Sequence, residues 1–234
     1  MAKVKLYEKF NNWYHGGVIF ILSDTHFDDL DCKLMDANWI SSEKQVEIIN
    51  RLVHKNDTLV HLGDVGNIDW VKKLNGYKVL ITGNHDAGVS NYQKKFKVVN
   101  KYREHGDRVY GDFETRKDAE EFIEEYEMEH DYSVLKVIDD NLFDEVYDGP
   151  LFINDKILLS HEPISLGFGM NIHGHDHGGK HQKSENEKWA QVNMAANVVG
   201  YTPMRLDKII EGFKVTDIHR QTIDRANINP LHKR

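Results

Sequence analysis

A chain of 234 residues, 40% hydrophobic and 29% charged, has the make-up of an ordinary folded protein and is long enough to bury a core without staples. Its net charge of −8, with no basic stretch, argues against a generic binder of long nucleic acids and leaves a small phosphorylated substrate open as the partner. One cysteine, Cys32, excludes an intrachain disulfide framework, and with no apolar leader and no run of membrane-spanning length the sequence reads as cytoplasmic, without membrane association.

The first predicted element is the apolar run Val18 to Leu22, a strand buried on both faces that stops at a polar cluster. A helix follows from Ser42 to about Lys55, with Ser42 and Gln45 as a capping box and Val46, Ile49, Leu52 and Val53 on one face. Thr58 to Leu62 is the next strand, Asp69 to Leu74 a short helical stretch, and Tyr77 to Ile81 a third strand. Strand, polar turn and helix alternate, which predicts parallel pairing with the polar turns gathered at one sheet edge.

From about 87 to 150 the pattern loosens into a peripheral, partly helical insertion. Within it Thr115 to Asp131 is an acidic helix with an apolar stripe of Phe122, Ile123, Tyr126 and Met128; it has no calcium-loop spacing and reads as a solvated face. Tyr102, Arg103, His105, Arg108 and Tyr110 form a basic and aromatic cluster, more simply read as a surface loop. Strand character returns at Lys156 to Ser160, at Met170 to His173 and across Trp189 to Val198, the last expected to be mostly antiparallel. Thr202 and Pro203 are read as N-cap and first residue of a closing helix with Leu206, Ile209 and Ile210 inward. No repeat or linker divides the chain, so residues 1–234 are read as a single domain.

Short polar clusters at the ends of predicted strands hold the chemistry: Asp24-Thr25-His26, Gly63-Asp64, Gly83-Asn84-His85-Asp86, Ser160-His161-Glu162-Pro163 and Gly174-His175-Asp176-His177. Their donors are carboxylate, amide and imidazole without thiolate, a mixture that suits manganese, iron or zinc better than calcium or a structural zinc cage. A carboxylate such as Asp64 can bridge two cations about 3.5–4 Å apart, which a histidine cannot. The glycines at 63, 83 and 174 are read as sharp turns that bring these side chains together.

The ordered motifs, in the settings Ser-Asp-Thr-His-Phe, His-Leu-Gly-Asp-Val, Leu-Ile-Thr-Gly-Asn-His-Asp, Leu-Leu-Ser-His-Glu-Pro and Gly-His-Asp-His, resemble the calcineurin-like metallophosphoesterase superfamily, in its small bacterial and phage branch. The resemblance spans Asp24 to His177. It implies an α+β fold, a four-layer α/β/β/α sandwich of two mixed β-sheets, and two divalent metal ions, manganese first and iron or zinc next. It implies Asp24, His26, Asp64 and His177 at the first ion, and Asp64, Asn84, His161 and His175 at the second. His85 matches the non-ligand histidine that assists the leaving group while a hydroxide shared by the ions attacks phosphorus. The activity implied is hydrolysis of a phosphomonoester or phosphodiester; a nuclease or cyclic-nucleotide phosphodiesterase is the close alternative, and a non-catalytic scaffold that kept the fold is the rival from another class.

The chain departs from the family pattern at named positions. Val65-Gly66-Asn67 replaces the Val-Asp-Arg-Gly-like run of the protein phosphatases, which removes a carboxylate and a phosphate-gripping arginine and argues against that activity. Asp86 stands where those phosphatases have Glu, and Asp28-Asp29 where the small branch often has Gly-His. His173 reads as a satisfied strand or ligand-supporting residue, and His15, His54, His61, His105, His130, His181, His219 and His232 as surface or core histidines, His181 being the one nearest the last motif.

Overall fold

The computed structural model describes residues 4–86, 95–101, 109–130, 135–140, 142–183 and 188–213. In chain order these residues form β1 (Ile19–Leu22), α1 (Asp31–Met35), α2 (Ser42–Leu52), β2 (Thr58–His61), β3 (Tyr77–Ile81), β4 (Lys95–Asn100), β5 (Val109–Phe113), α3 (Arg116–His130), β6 (Leu135–Asp140), β7 (Glu145–Tyr147), β8 (Leu151–Phe152), β9 (Ile157–Leu159), β10 (Gly169–His173), β11 (Gln182–Lys183), β12 (Trp189–Asn193), β13 (Met204–Arg205) and α4 (Leu206–Phe213). The result is a mixed α/β structure with several sheets. No helix among these residues is long and apolar enough to cross a membrane.

The first sheet runs β13-β1-β2-β3-β7, with β1, β2, β3 and β7 parallel and β13 antiparallel at its edge. Strands β1 and β2 are buried at every position, as their unbroken apolar runs require. Alternate residues serve two cores. Ile19, Ile21, Val60 and Val79 join Ile157, Leu159, Met170, Ile172, Ala190 and Val192 of the second sheet in one apolar cluster. Phe20, Leu22, Leu59 and Leu80 face the other way, against Val46 and Ile49 of α2. Burying each such side chain is worth about 1.5–3 kcal/mol.

The second sheet runs β11-β12-β10-β9-β8. Here the expectation of a mostly antiparallel Trp189 to Val198 fails: β12 ends at Asn193 and is parallel to β10, which is parallel to β9, while the antiparallel partners are the short edge strands β11 and β8. Residues 194–198 leave the sheet, because Ala195 bridges to Ser23 and ties the two sheets together at one edge. The closing helix also starts later than Thr202. Met204 and Arg205 pair with β1 instead, and α4 begins at Leu206, with Leu206, Ile209 and Ile210 in the cluster shared by the sheets.

The capping box of α2 moves by one residue. Ser41 caps the helix by accepting from the Lys44 N–H, since the Ser42 hydroxyl is engaged by Asp28 and Gln45 donates to the Thr25 carbonyl. Between 95 and 140 a third sheet, β5-β4-β6, was not anticipated as strands. It is antiparallel, and α3 closes it over a separate small core of Phe96, Val98, Ala119 and Leu135. Phe122, Ile123 and Tyr126 pack against that core, whereas Met128 is exposed. Of the basic and aromatic cluster only Tyr110 lies within the described residues, its ring 5.7 Å from that of Tyr126. The other four residues of that cluster, with His219 and His232, lie outside them.

Candidate metal centre

Register brings the polar clusters together. Leu22, His61 and Leu80 lie side by side at the ends of β1, β2 and β3, and Leu159 pairs with Ile172 in the second sheet, so the residues that follow these strands emerge at one edge. The Asp24 N–H then donates to the Gly63 carbonyl at 2.9 Å, His26 N–H to Asp64 carbonyl at 3.1 Å, and Gly174 N–H to the His161 carbonyl at 2.9 Å.

Two groups of donors result. Asp24, His26 and His177 offer ligand atoms within 4.8 Å of one another, and so do Asp64, His161 and His175. Asn84 Oδ1 lies 2.8 Å from His161 Nε2 and 3.1 Å from His175 Nδ1, which places it with the second group. Asp64 stands between the groups: its Oδ2 is 3.5 Å from His26 Nε2 and 3.3 Å from His161 Nε2, while its Oδ1 accepts the His85 N–H at 2.9 Å. The His175 N–H donates to both oxygens of Asp24, at 3.1 and 2.9 Å, and so couples the groups a second time.

Holding these residues carries a conformational cost. Asp24, His26, Asp64 and His175 sit at φ of 54°, 39°, 55° and 66°, the left-handed region that side chains rarely adopt. Such positions cost on the order of 1–3 kcal/mol each and persist where surrounding contacts over-determine them. It is this backbone, and not strand alternation as the Asp24-x-His26 spacing suggests, that turns both side chains inward. Of the glycines, only Gly63 fits the sharp-turn reading, at φ 95°. Gly83 and Gly174 are needed for space: an added Cβ would lie 2.3 Å from Asp64 Oδ1 at one and 2.1 Å from Asp24 Oδ2 at the other.

The protonation pattern follows from the partners. Nδ1 of His26 faces Asp29 Oδ2 at 3.1 Å, that of His161 the Leu62 carbonyl at 2.8 Å, and that of His177 Asn197 Oδ1 at 3.1 Å. Each is an acceptor, so Nδ1 carries the hydrogen and Nε2 turns to the carboxylates. Among the described residues His26 Nε2 is buried with no hydrogen-bond partner. Burial pushes the Asp24 carboxyl above the usual carboxylate range, against the lowering pull of the Ser23 hydroxyl, the His175 N–H and the nearby histidines. Burial acts upward on Asp64 too, but the His161 and His85 contacts and the positive potential of His161 and His26 outweigh it and bring the carboxyl down to about 2. Buried carboxylates and an orphaned imidazole nitrogen make this a place that could hold cations, and the donor set suits divalent ions of the manganese, iron and zinc kind.

His85 is exposed at the mouth, lining a cavity of about 570 Å³ with His26, His177, Leu34 and Met35; its ring centre is 5.7 Å from that of His26. A second cavity of about 260 Å³ lies on the side of Asn84 and His161.

Several residues that the sequence did not offer as ligands support this centre. Asp86 accepts from the N–H groups of Asp64, Val65 and Gly83 at 2.8–3.0 Å and locks the second and third motifs together. Trp39 packs edge-on against His26 and His177. His61, read as an ordinary histidine, is buried with Nε2 3.0 Å from the Thr25 hydroxyl; that hydroxyl donates to the Val65 carbonyl, so His61 must be the donor. His181 accepts from the Asn193 N–H, and His173 bonds the Gly174 carbonyl. Two departures from the family pattern meet in space, Asn67 donating to Asp28 at 2.8 Å. His26, Asp29 and Cys32 also converge; burial and then Asp29 push the Cys32 thiol up to about 12. Asp86, Asn67 and the Asp-Asp pair after His26-Phe27 gave a sequence signal, as departures, and His173 one by its place in the alternation; Trp39 and His61 are common residues made special by position.

The calcineurin-like phosphoesterase family matches residues 17–199, which contain every one of these motifs. The chain belongs to the calcineurin-like phosphoesterase family. Family membership agrees with the paired Asp and His groups, which could hold metal ions, and suggests a phosphoesterase. Two solved structures are similar to this family member. A protein of unknown function, AQ665 from Aquifex aeolicus, has 20% identity and a TM-score of 0.48, with 83% of this chain and 98% of that one covered. Nuclease MPE from Pseudomonas putida has 21% identity and a TM-score of 0.35, with 68% and 61% covered. No curated protein matches the chain significantly.

Proposed function

We infer that the chain is a phosphoric ester hydrolase that works with two divalent cations, Asp24, His26, Asp64 and His177 holding the first and Asp64, Asn84, His161 and His175 the second. The observation that carries this reading is Asp64 Oδ2, which lies between His26 Nε2 at 3.5 Å and His161 Nε2 at 3.3 Å while Oδ1 is tied to the backbone. When bound, the cations would supply Lewis acidity toward a phosphoryl group and a nucleophile at neutral pH.

The protein's own residues do the rest. Asp64 and Asp24 hold negative charge where it draws cations together, and Asp86 keeps the Asp64 and Asn84 turns in register. His85 reaches into the larger cavity and gives a proton to the alkoxide that departs as its bond to phosphorus breaks, help worth ~10²–10⁴ in rate. The substrate is a small phosphate ester, monoester or diester, with room on either side of the centre in the two cavities. The architecture we assign is the four-layer α/β/β/α sandwich in one domain with a peripheral insertion at about 87–150. It is supported by the apolar cluster that both five-stranded sheets share, by α2 on the far face of the first, and by the separate core of the third sheet.

The test is hydrolysis of an aryl monophosphate and a bis-aryl phosphate by purified protein with manganese, then after chelation. Turnover of at least one ester, abolished by chelator and restored by metal, is the expected result, and the preferred ester separates monoesterase from diesterase. Protein that binds no divalent cation and cleaves neither ester would instead be a scaffold.

A further inference from the structure

We propose that Asp29 is a positioning residue for the first cation, fixing His26 in the one tautomer and ring orientation that present Nε2 to Asp24, Asp64 and His177. The proposal rests on the two-cation reading above. Asp29 Oδ2 lies 3.1 Å from His26 Nδ1, and its other oxygen accepts the Asp31 N–H at 2.9 Å, so the carboxylate is held from both sides. The opposite ring nitrogen, His26 Nε2, is buried, has no hydrogen-bond partner among the described residues and lies 3.5 Å from Asp64 Oδ2. With the hydrogen on Nε2 alone, Nδ1 would set a lone pair against the Asp29 carboxylate at 3.1 Å, the shorter of the two contacts, and that disfavours this tautomer.

A tight turn makes the reach achievable. His26 and Asp28 adopt φ of 39° and 60°, and the Asp29 N–H donates back to the His26 carbonyl at 3.1 Å. Asp28 anchors that turn to the body of the protein. It exchanges hydrogen bonds with Ser42 at the start of α2 and accepts from Asn67 at 2.8 Å and from the Trp70 indole at 2.6 Å. Asp29 therefore stands in a fixed place behind His26.

The partner is also chemically distinct. His161 and His177 rest Nδ1 on a backbone carbonyl and a side-chain amide, both neutral, whereas His26 rests on a carboxylate. A carboxylate behind an imidazole raises its basicity as a ligand, and removing such a partner typically costs about 10–100-fold in metal affinity. The loss should fall on the first cation, because the His26 ring that Asp29 holds is assigned to that cation and not to the second.

Two measurements decide it. Manganese titration calorimetry on wild-type protein, Asp29→Asn and Asp29→Glu should show two binding steps, one of them weakened about 10–100-fold by Asp29→Asn and largely restored by Asp29→Glu, with the other unchanged. Both steps within about twofold of wild type in Asp29→Asn, or both falling together, would overturn the proposal. Wild-type protein that binds no manganese sinks the two-cation reading and this proposal with it. Long-range nitrogen–proton NMR on the metal-free wild-type protein, which needs no variant to fold, should find His26 protonated on Nδ1; protonation on Nε2 overturns the assignment.

Discussion

The edge where the two five-stranded sheets end and the three-stranded sheet under α3 follow opposite rules. At the edge, polar groups are buried, non-glycine residues sit in left-handed backbone, and glycines are placed where a methyl group would strike a carboxylate. In the small sheet the apolar residues Phe96, Val98, Ala119 and Leu135 form the core, Phe113 meets Phe122 at 5.3 Å, and α3 carries exposed i,i+4 pairs such as Lys117 with Glu121 at 2.8 Å. Local propensity and burial agree in the second region and conflict in the first, and such conflict in a folded protein is where function is sought.

The comparison is broken or sharpened most strongly at Asp64. Asp64→Asn should lower ester hydrolysis by on the order of 10³-fold, measured in steady-state assays with saturating manganese. A variant within tenfold of wild type would remove Asp64 from the centre. Next, His85→Gln should lose roughly 10²-fold or more in turnover while its manganese stoichiometry is unchanged. Turnover equal to wild type would show that the leaving group needs no help from that side.

Gly174→Ala probes the edge from below. Its Cβ would lie 2.0 Å from Ser23 Oγ and 2.1 Å from Asp24 Oδ2, so one of these groups must move. We expect about 1–3 kcal/mol of destabilisation in urea melts together with weakened manganese binding. The mirror experiment is Leu135→Ala in the small core, which should cost about 2 kcal/mol in the stability of that unit by hydrogen exchange and leave hydrolysis within about twofold. A large loss of activity there would mean that the two regions are not independent.

The smallest effect concerns Glu145, which lies apart from both regions and accepts from Asn12, Trp13, Tyr77 and Tyr147. Burial raises its pKa, but those four donors outweigh it and leave the folded value below 4.5. A depressed carboxyl contributes stability that is fully present above the unfolded value and is lost as pH falls through the folded one. Glu145→Gln should therefore remove no more than about 1 kcal/mol at neutral pH and flatten the loss of stability between about pH 5 and 3, read from melting temperatures. An unchanged acid limb would exclude Glu145 from it.

The parallel strands of the first sheet were legible because each is an unbroken apolar run closed by a polar turn, a pattern that burial on both faces imposes. The strands from 95 to 140 were less so, since alternation such as Lys95-Phe96-Lys97-Val98 is short and lies beside an acidic helix that dominates the composition. The start of α4 was misplaced for a related reason. Thr202-Pro203 is a good local start signal, but pairing of Met204 and Arg205 with β1 gives those residues sheet hydrogen bonds that a helix would have to forgo.

By itself the sequence determined which side chains are candidates to hold cations, because donors of those types, at the ends of apolar runs and in that order, are chemically specific. Tertiary structure alone decided how they are held. Asp29 behind His26, Asn197 behind His177, Asp86 across two turns and Trp39 beside the imidazoles are tied to their partners by backbone twists and by contacts between distant segments. Hydrogen bonds and close packing act over a few ångströms in space, and separation along the chain carries no record of them.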